Sequence, residues 1–208
     1  MNDDLVQAKR GFGAHPHRDV EICTYIVEGE LTHKDSMGTA ETLQRGDIQY
    51  MSAGTGVEHS EHNLGNSPLR FIQIWINTRQ RGLKPVYGSL KGNEESRLNK
   101  WVHLVQDIKN TNIDCPIKIN QDSNIFVTEI DPNISLNLEI QNDRQGYLLC
   151  IEGDNNIIQG KDNQINLSRH DAAEIIGPQT LSITTSNNKS HFLLVEMKYE
   201  LGSGRKDL

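Results

Sequence analysis

Cysteine is scarce in this 208-residue chain, which has three (Cys23, Cys115, Cys150) and no CxxC spacing among them. An odd number without that spacing gives no disulfide framework to read. Cys23 and Cys150 lie inside apolar strand-like runs, so reduced, buried thiols are predicted. Long hydrophobic runs are also missing: none approaches the roughly 20 residues that a membrane-spanning helix requires. No apolar segment follows the opening MNDDLVQAKR, which leaves no secretory signal to read. A soluble, cytoplasmic chain without a membrane partner is expected. Basic clusters are absent as well. With 21 Lys and Arg against 28 Asp and Glu, the formal net charge is −7, which argues against direct, phosphate-driven binding of nucleic acid. A small molecule or a protein is the expected partner. Helical periodicity is weak everywhere, with at best a short helix around 96–100 or after Gln106.

What is present is a series of short β-branched and aromatic runs bounded by Gly, Asn, Asp or Pro. Examples are 21–27, 47–51, 69–76, 125–130, 134–140, 147–151, 181–185 and 191–197. They predict an all-β protein. An internal repeat organises them. The run Tyr25-Ile-Val-Glu-Gly29 returns as Leu149-Cys-Ile-Glu-Gly153, and Leu43-Gln-Arg-Gly-Asp47 as Leu167-Ser-Arg-His-Asp171, with a common offset of 124 residues. Phe71-Ile-Gln-Ile-Trp-Ile76 is echoed by Phe192-Leu-Leu-Val-Glu-Met197, slipped by three. Two modules with one order of strand, Gly turn, Asp turn and closing strand predict a duplicated barrel. The first is expected over 1–110, including a polar connection at about 78–111, and the second over 112–208.

The chemistry-bearing residues sit in the first module. His15-Pro16-His17 is followed about forty residues on by His59-Ser60-Glu61, and residues two apart on an extended strand share a face. If the two strands pair, His15, His17, His59 and Glu61 converge. Three imidazoles and one carboxylate would hold a divalent transition metal and leave positions open for substrate or dioxygen. Fe(II) is the expected ion, with Mn, Co, Ni, Cu or Zn also compatible with these donors. By alternation His62 should face away from His59 and Glu61. His33 is expected to be a hydrogen-bonded structural histidine. Ile22, Tyr25, Met51, Ile74 and Trp75 fit a barrel interior, and Gly54 and Gly56 a bend that aims the second triplet.

The stretch GFGAHPHRDVEICTYIVEG, followed by RGDIQYMSAGTGVEHSEHN, resembles the two cupin motifs. Ser52 stands where Pro is usual, and two extra residues separate Gly54 from His59. Those departures, with the strings HPH, EGE, HKDSMG, GDIQYMSAGTG and HSE, resemble pirin and the bacterial pirin-like quercetinases. The resemblance is dense over 11–76 and thinner beyond. It implies a bicupin of two antiparallel barrels in tandem, with one metal in the N-terminal barrel held by His15, His17, His59 and Glu61, which leaves Glu21 structural or a support for the ligands; the second module, with no HxH or HxE after Glu61, is expected to lack a metal set. The resemblance implies quercetin 2,3-dioxygenase-type opening of a flavonol-like substrate by dioxygen, for which Glu61, swinging off the metal, is the expected base. The alternative that it implies is a redox-responsive regulator acting through protein contacts, as pirin-type transcriptional cofactors do. The family usually carries roughly forty further residues before the segment that Met1–Asp4 resembles, enough for several short strands. Without them an open barrel edge is expected, prone to association into an oligomer.

Overall fold

The structure, a computed structural model, describes residues 1–161 and 163–199. Nearly all of the regular structure is strand, as the short runs predict. The first stretch carries β1 (Asn2–Val6), β2 (Gly11–His17), β3 (Val20–Glu28), β4 (Glu30–Asp35), β5 (Ala40–Gln44), β6 (Ile48–Ser52), β7 (Val57–His62), β8 (Leu69–Asn77) and β9 (Val86–Leu90). A single helical turn, α1 (Glu94–Arg97), precedes β10 (Val102–Asp107) and β11 (Ile117–Ile119). Then follow β12 (Ser123–Ile130), β13 (Ser135–Ile140), β14 (Arg144–Glu152), β15 (Asn156–Gln159), β16 (Gln164–Leu167), β17 (Ala172–Ile176), β18 (Gln179–Thr184) and β19 (Ser190–Lys198). The helix begins earlier than expected, because Asn93 caps it: its side chain accepts the Glu95 N–H at 2.9 Å,. After Gln106 there is a turn and β11 rather than a helix. No helix among the described residues is long and apolar enough to cross a membrane.

The chain forms two compact units, one of Met1–Ser96 with Leu104–Gln121, the other of Arg97–His103 with the chain from Asp122. In the first unit β1-β8-β3-β6-β9 form one antiparallel sheet and β2-β7-β4-β5 another. In the second, β12-β19-β14-β17 repeats the order of β1-β8-β3-β6, and β13-β18-β15-β16 that of β2-β7-β4-β5. The repeat also extends to single hydrogen bonds. In the first unit Ile26 N–H donates to Asp47 C=O at 2.9 Å and Gly46 N–H to Ile26 C=O at 2.8 Å. In the second, Cys150 donates to Asp171 and His170 to Cys150, both at 2.9 Å. Both units carry a bulge in the long central strand, between Ile26 and Glu28 and between Cys150 and Glu152. Gly46 has φ 85°, a left-handed conformation open to glycine, and His170 adopts φ 75° at the matching turn,. This is a bicupin: one barrel design, built twice.

In the first unit the inward residues of β3, β4, β6, β7 and β8 change from apolar to polar along the strand. Val6, Ile26, Leu31, Leu43, Leu69 and Phe71 form one buried layer, and Ile22, Met51 and Val57 another. Between Ile22 and Ile26 on β3 stands Thr24; Gln49 follows from Met51 on β6, Gln73 from Phe71 on β8, and His33 from Leu31 on β4,. His59 and Glu61 follow from Val57 on β7. All six are buried. A polar belt therefore crosses the barrel between two hydrophobic layers. Burying such groups is costly unless they bind one another or a ligand. The alternation also corrects the expected interior: Ile22 and Met51 point inward, whereas Tyr25 and Ile74 are buried on the outer face of the same sheet, and Trp75 stands half-exposed.

Candidate metal centre

β2 and β7 pair antiparallel, with His15 opposite His59 and His17 opposite Val57. Pro16, which has no N–H, sits in β2, the edge strand of its sheet, as strand proline must,. The chain enters β7 by a bend at Gly54, which has φ 46°. A Cβ there would strike the Leu83 carbonyl,.

One donor atom from each of His15, His17 and His59 lies within 4.8 Å of the other two. The ring nitrogens are directed. His15 Nδ1–H donates to Gly13 C=O at 2.8 Å, so its Nε2 is the lone-pair atom,. That Nε2 lies 3.1 Å from His59 Nε2. Adjacent donors on an ion with bonds of about 2.1 Å would be about 3 Å apart. His17 Nε2 is buried and meets no hydrogen-bond partner, and neither does His59 Nδ1. Burial, and then the neighbouring imidazoles of His15 and His17, push the His59 pKa down to about 3. Burial likewise lowers that of His17. Both are therefore held neutral, the form that donates to a metal. The residues present fit a transition ion.

Glu61 falls in a second group, with His33 and His59, whose donor atoms also lie within 4.8 Å of one another. Its two oxygens are gripped separately: Gln49 Nε2 donates to Oε1 at 2.7 Å, and Gln73 Nε2 to Oε2 at 2.9 Å. Each amide is itself fixed. Trp75 Nε1 donates to Gln73 Oε1 at 2.8 Å, while the Tyr87 hydroxyl lies 3.3 Å from Gln49 Oε1 and 2.9 Å from Glu41. The expected swing of Glu61 off a metal would break two such bonds. It is not required, because each carboxylate oxygen keeps a further lone pair. Burial raises the Glu61 pKa above the usual carboxylate range, against the Gln73 hydrogen bond. Trp75 also packs edge-on against the His17 ring, with centroids 4.8 Å apart at 86°.

Glu21 lies elsewhere. Its buried carboxylate accepts Tyr50 O–H at 3.0 Å and, from Asn120, both the backbone N–H (2.8 Å) and Nδ2 (3.1 Å). It anchors the strand end after β11 on the outer face of the sheet. His62 is only partly buried, alternating with the buried His59 and Glu61. Gln49, Gln73, Tyr87 and Asp35, whose Oδ2 lies 3.0 Å from His33 Nε2, were not foreseen, although the inward phase of β6 and β8 marks both glutamines. In the second unit the register puts Leu138, Ile140, Leu181, Ile183 and Ile158 where the first has His15, His17, His59, Glu61 and His33. All five belong to one buried hydrophobic core.

Two family models match the chain: Pirin over residues 1–76, and the quercetinase C-terminal cupin domain over 110–197. A quercetin 2,3-dioxygenase of Escherichia coli K12 is 33% identical over 202 residues, covering 95% of this chain and 80% of the relative. A pirin-like protein of Caulobacter vibrioides is 32% identical over 183 residues, covering 88% and 76%. The crystal structure of the bacterial pirin YhhW of Escherichia coli in complex with nickel(II) superposes with a TM-score of 0.80 at 28% identity, covering 95% of this chain and 81% of that one. With its two barrels, its paired strands of histidines and these relatives, the chain belongs to the pirin family of bicupins.

Proposed function

We propose that this protein is a metal-dependent dioxygenase of the quercetin 2,3-dioxygenase type, its ion held by His15, His17, His59 and Glu61. The observation that carries the reading is the set of neutral, convergent imidazole nitrogens beside a carboxylate whose geometry is preset by two amides. The relatives named quercetin 2,3-dioxygenase support it, and the nickel complex of YhhW supports a transition metal in this fold. Fe(II) is the proposed ion, since it pairs these donors with dioxygen chemistry.

A bound divalent ion would supply a Lewis acid for the substrate hydroxyl and a one-electron path between substrate and dioxygen. The remaining work belongs to the side chains. His15, His17 and His59, held neutral, present lone pairs without competition from protons. Glu61, whose oxygens each keep a lone pair beyond the Gln49 and Gln73 hydrogen bonds, takes the proton of the substrate hydroxyl,. Gln49 and Gln73 hold that carboxylate through the transfer, and Ile22, Met51 and Val57 keep water from one side of the belt,.

The test is to load the protein with iron, manganese, cobalt, nickel or copper and follow quercetin absorbance under air. Metal-dependent decay with at least one ion is expected. A folded, metal-loaded protein that consumes no quercetin with any ion would defeat the proposal and favour the regulatory reading.

A further inference from the structure

Trp75 takes no part in the donor set proposed above, yet its indole is tied to that set twice. It lies on β8 in phase with Phe71 and Gln73 and opposite Ile22, so it continues the inward face of the strand past the polar belt,. It is nevertheless 51% exposed. A lone exposed aromatic on an outer face needs no explanation. One on the inward face of a barrel strand that is still half in water leaves apolar area for a ligand to cover. Tyr87, the other aromatic at this end of the belt, offers no such area: it is stacked on His33 at 4.6 Å and 24° and packed against the layer of Ile22, Met51 and Val57.

The indole is not free to turn. Its Nε1–H donates to Gln73 Oε1 at 2.8 Å, and its ring meets that of His17 at 86°, with centroids 4.8 Å apart. In a perpendicular pair of this kind at least one face of the indole is left clear of the imidazole. The same Gln73 amide donates from Nε2 to Glu61 Oε2 at 2.9 Å. One amide therefore fixes both the tilt of the indole and the aim of the carboxylate. A flat ring laid on the clear face comes to rest beside His17, with its plane set relative to Glu61.

We propose that Trp75 is the specificity-determining platform of the metal centre: the flat rings of an aromatic hydroxy-ketone stack on its indole while the hydroxyl reaches the ion. The proposal rests on the reading of His15, His17, His59 and Glu61 as a metal site for such substrates. It assigns to this one residue the preference for extended, flat molecules over small chelators that present the same hydroxyl and carbonyl.

The test is calorimetric binding under nitrogen to the whole chain loaded with Zn(II), which requires neither turnover nor dioxygen. Two ligands share one chelating head, a hydroxyl beside a ring carbonyl: quercetin carries it on fused and pendant aromatic rings, maltol on a single ring. Trp75→Leu should weaken quercetin about tenfold and maltol less than about twofold, at unchanged zinc content. A merely structural tryptophan, acting by loosening Gln73 and Glu61, would give equal losses for both ligands, and that result would overturn the proposal. No loss for either ligand, or a parent that binds maltol but not quercetin, would overturn it too. A parent that retains no zinc, or binds neither ligand when loaded, would remove the proposed function as well. Should Trp75→Leu not fold, Trp75→Phe decides by the same comparison, with a loss of about threefold for quercetin alone, because the smaller ring covers less of the ligand.

Discussion

Two buried glutamates on facing strands have opposite duties, and substitution should separate them. Glu61→Gln keeps the side-chain volume but removes the negative donor and the base. Turnover of the metal-loaded protein should fall by about 10²–10⁴, measured as the initial rate of quercetin loss at equal metal content. Glu21→Ala strips Tyr50 and Asn120 of their acceptor. Its expected cost is about 3 kcal/mol in urea unfolding, with metal stoichiometry unchanged because the residue lies on the other face of β3. His59 makes the metal-free protein sensitive to acid. Its folded pKa is about 3 against 6.5 unfolded, so below 6.5 the unfolded chain takes up a proton that the native state refuses. The stability it contributes is complete above pH 6.5 and is lost as pH falls toward 3. Between pH 7 and 5.5 metal-free protein should lose about 1 kcal/mol more than a His59→Leu variant does. Equal losses in the two would refute the assignment. Glu61, whose pKa is raised, acts with the opposite sign, and the comparison with His59→Leu cancels it.

At the scale of elements, the period of two carried most of what could be read. The β-branched runs located the strands, and HPH with HSE marked the two pairs proposed as ligands, because alternation places i and i+2 on one face whatever the partner. The same phase shows why Glu61 and not His62 is buried. Other parts depended on pairing between distant strands. β3 is flanked by β6 and β8, and only that register sets Gln49 and Gln73 opposite Thr24 and against Glu61. Glutamine is a common surface residue, so its type alone gives no warning. Tyr87 lies on β9, within a polar stretch that reads as a connection. His33 shares the inward phase, but that its Nδ1 meets no hydrogen-bond partner is visible only in three dimensions. The belt also carries an energetic expectation. Since His59 Nδ1 has no partner, His59→Leu, the residue type at the matching Leu181, should leave metal-free stability unchanged or higher in urea while metal affinity collapses.

Across the whole molecule, one blueprint was kept in two copies whose interiors diverged. The second unit preserves the sheet orders, the bulge and even the left-handed turn at His170, but fills the belt with leucine and isoleucine. Added metal should therefore stabilise the first unit selectively, by about 2.7 kcal/mol at a hundredfold excess over its Kd. Hydrogen exchange with and without metal should show new protection in β2, β4 and β7 and little in β13, β15 and β18. Equal protection of both sets would contradict a single centre.

Trp75 adds a practical consequence. Its indole is half-exposed, lies edge-on to the His17 ring and, through Gln73, is one hydrogen bond removed from the Glu61 carboxylate. The chain has only one other tryptophan, Trp101, which belongs to the second unit. The molecule thus carries a built-in optical reporter of its own chemistry: a paramagnetic ion entering the site should quench the first emitter and spare the second, so that loading can be followed without any label.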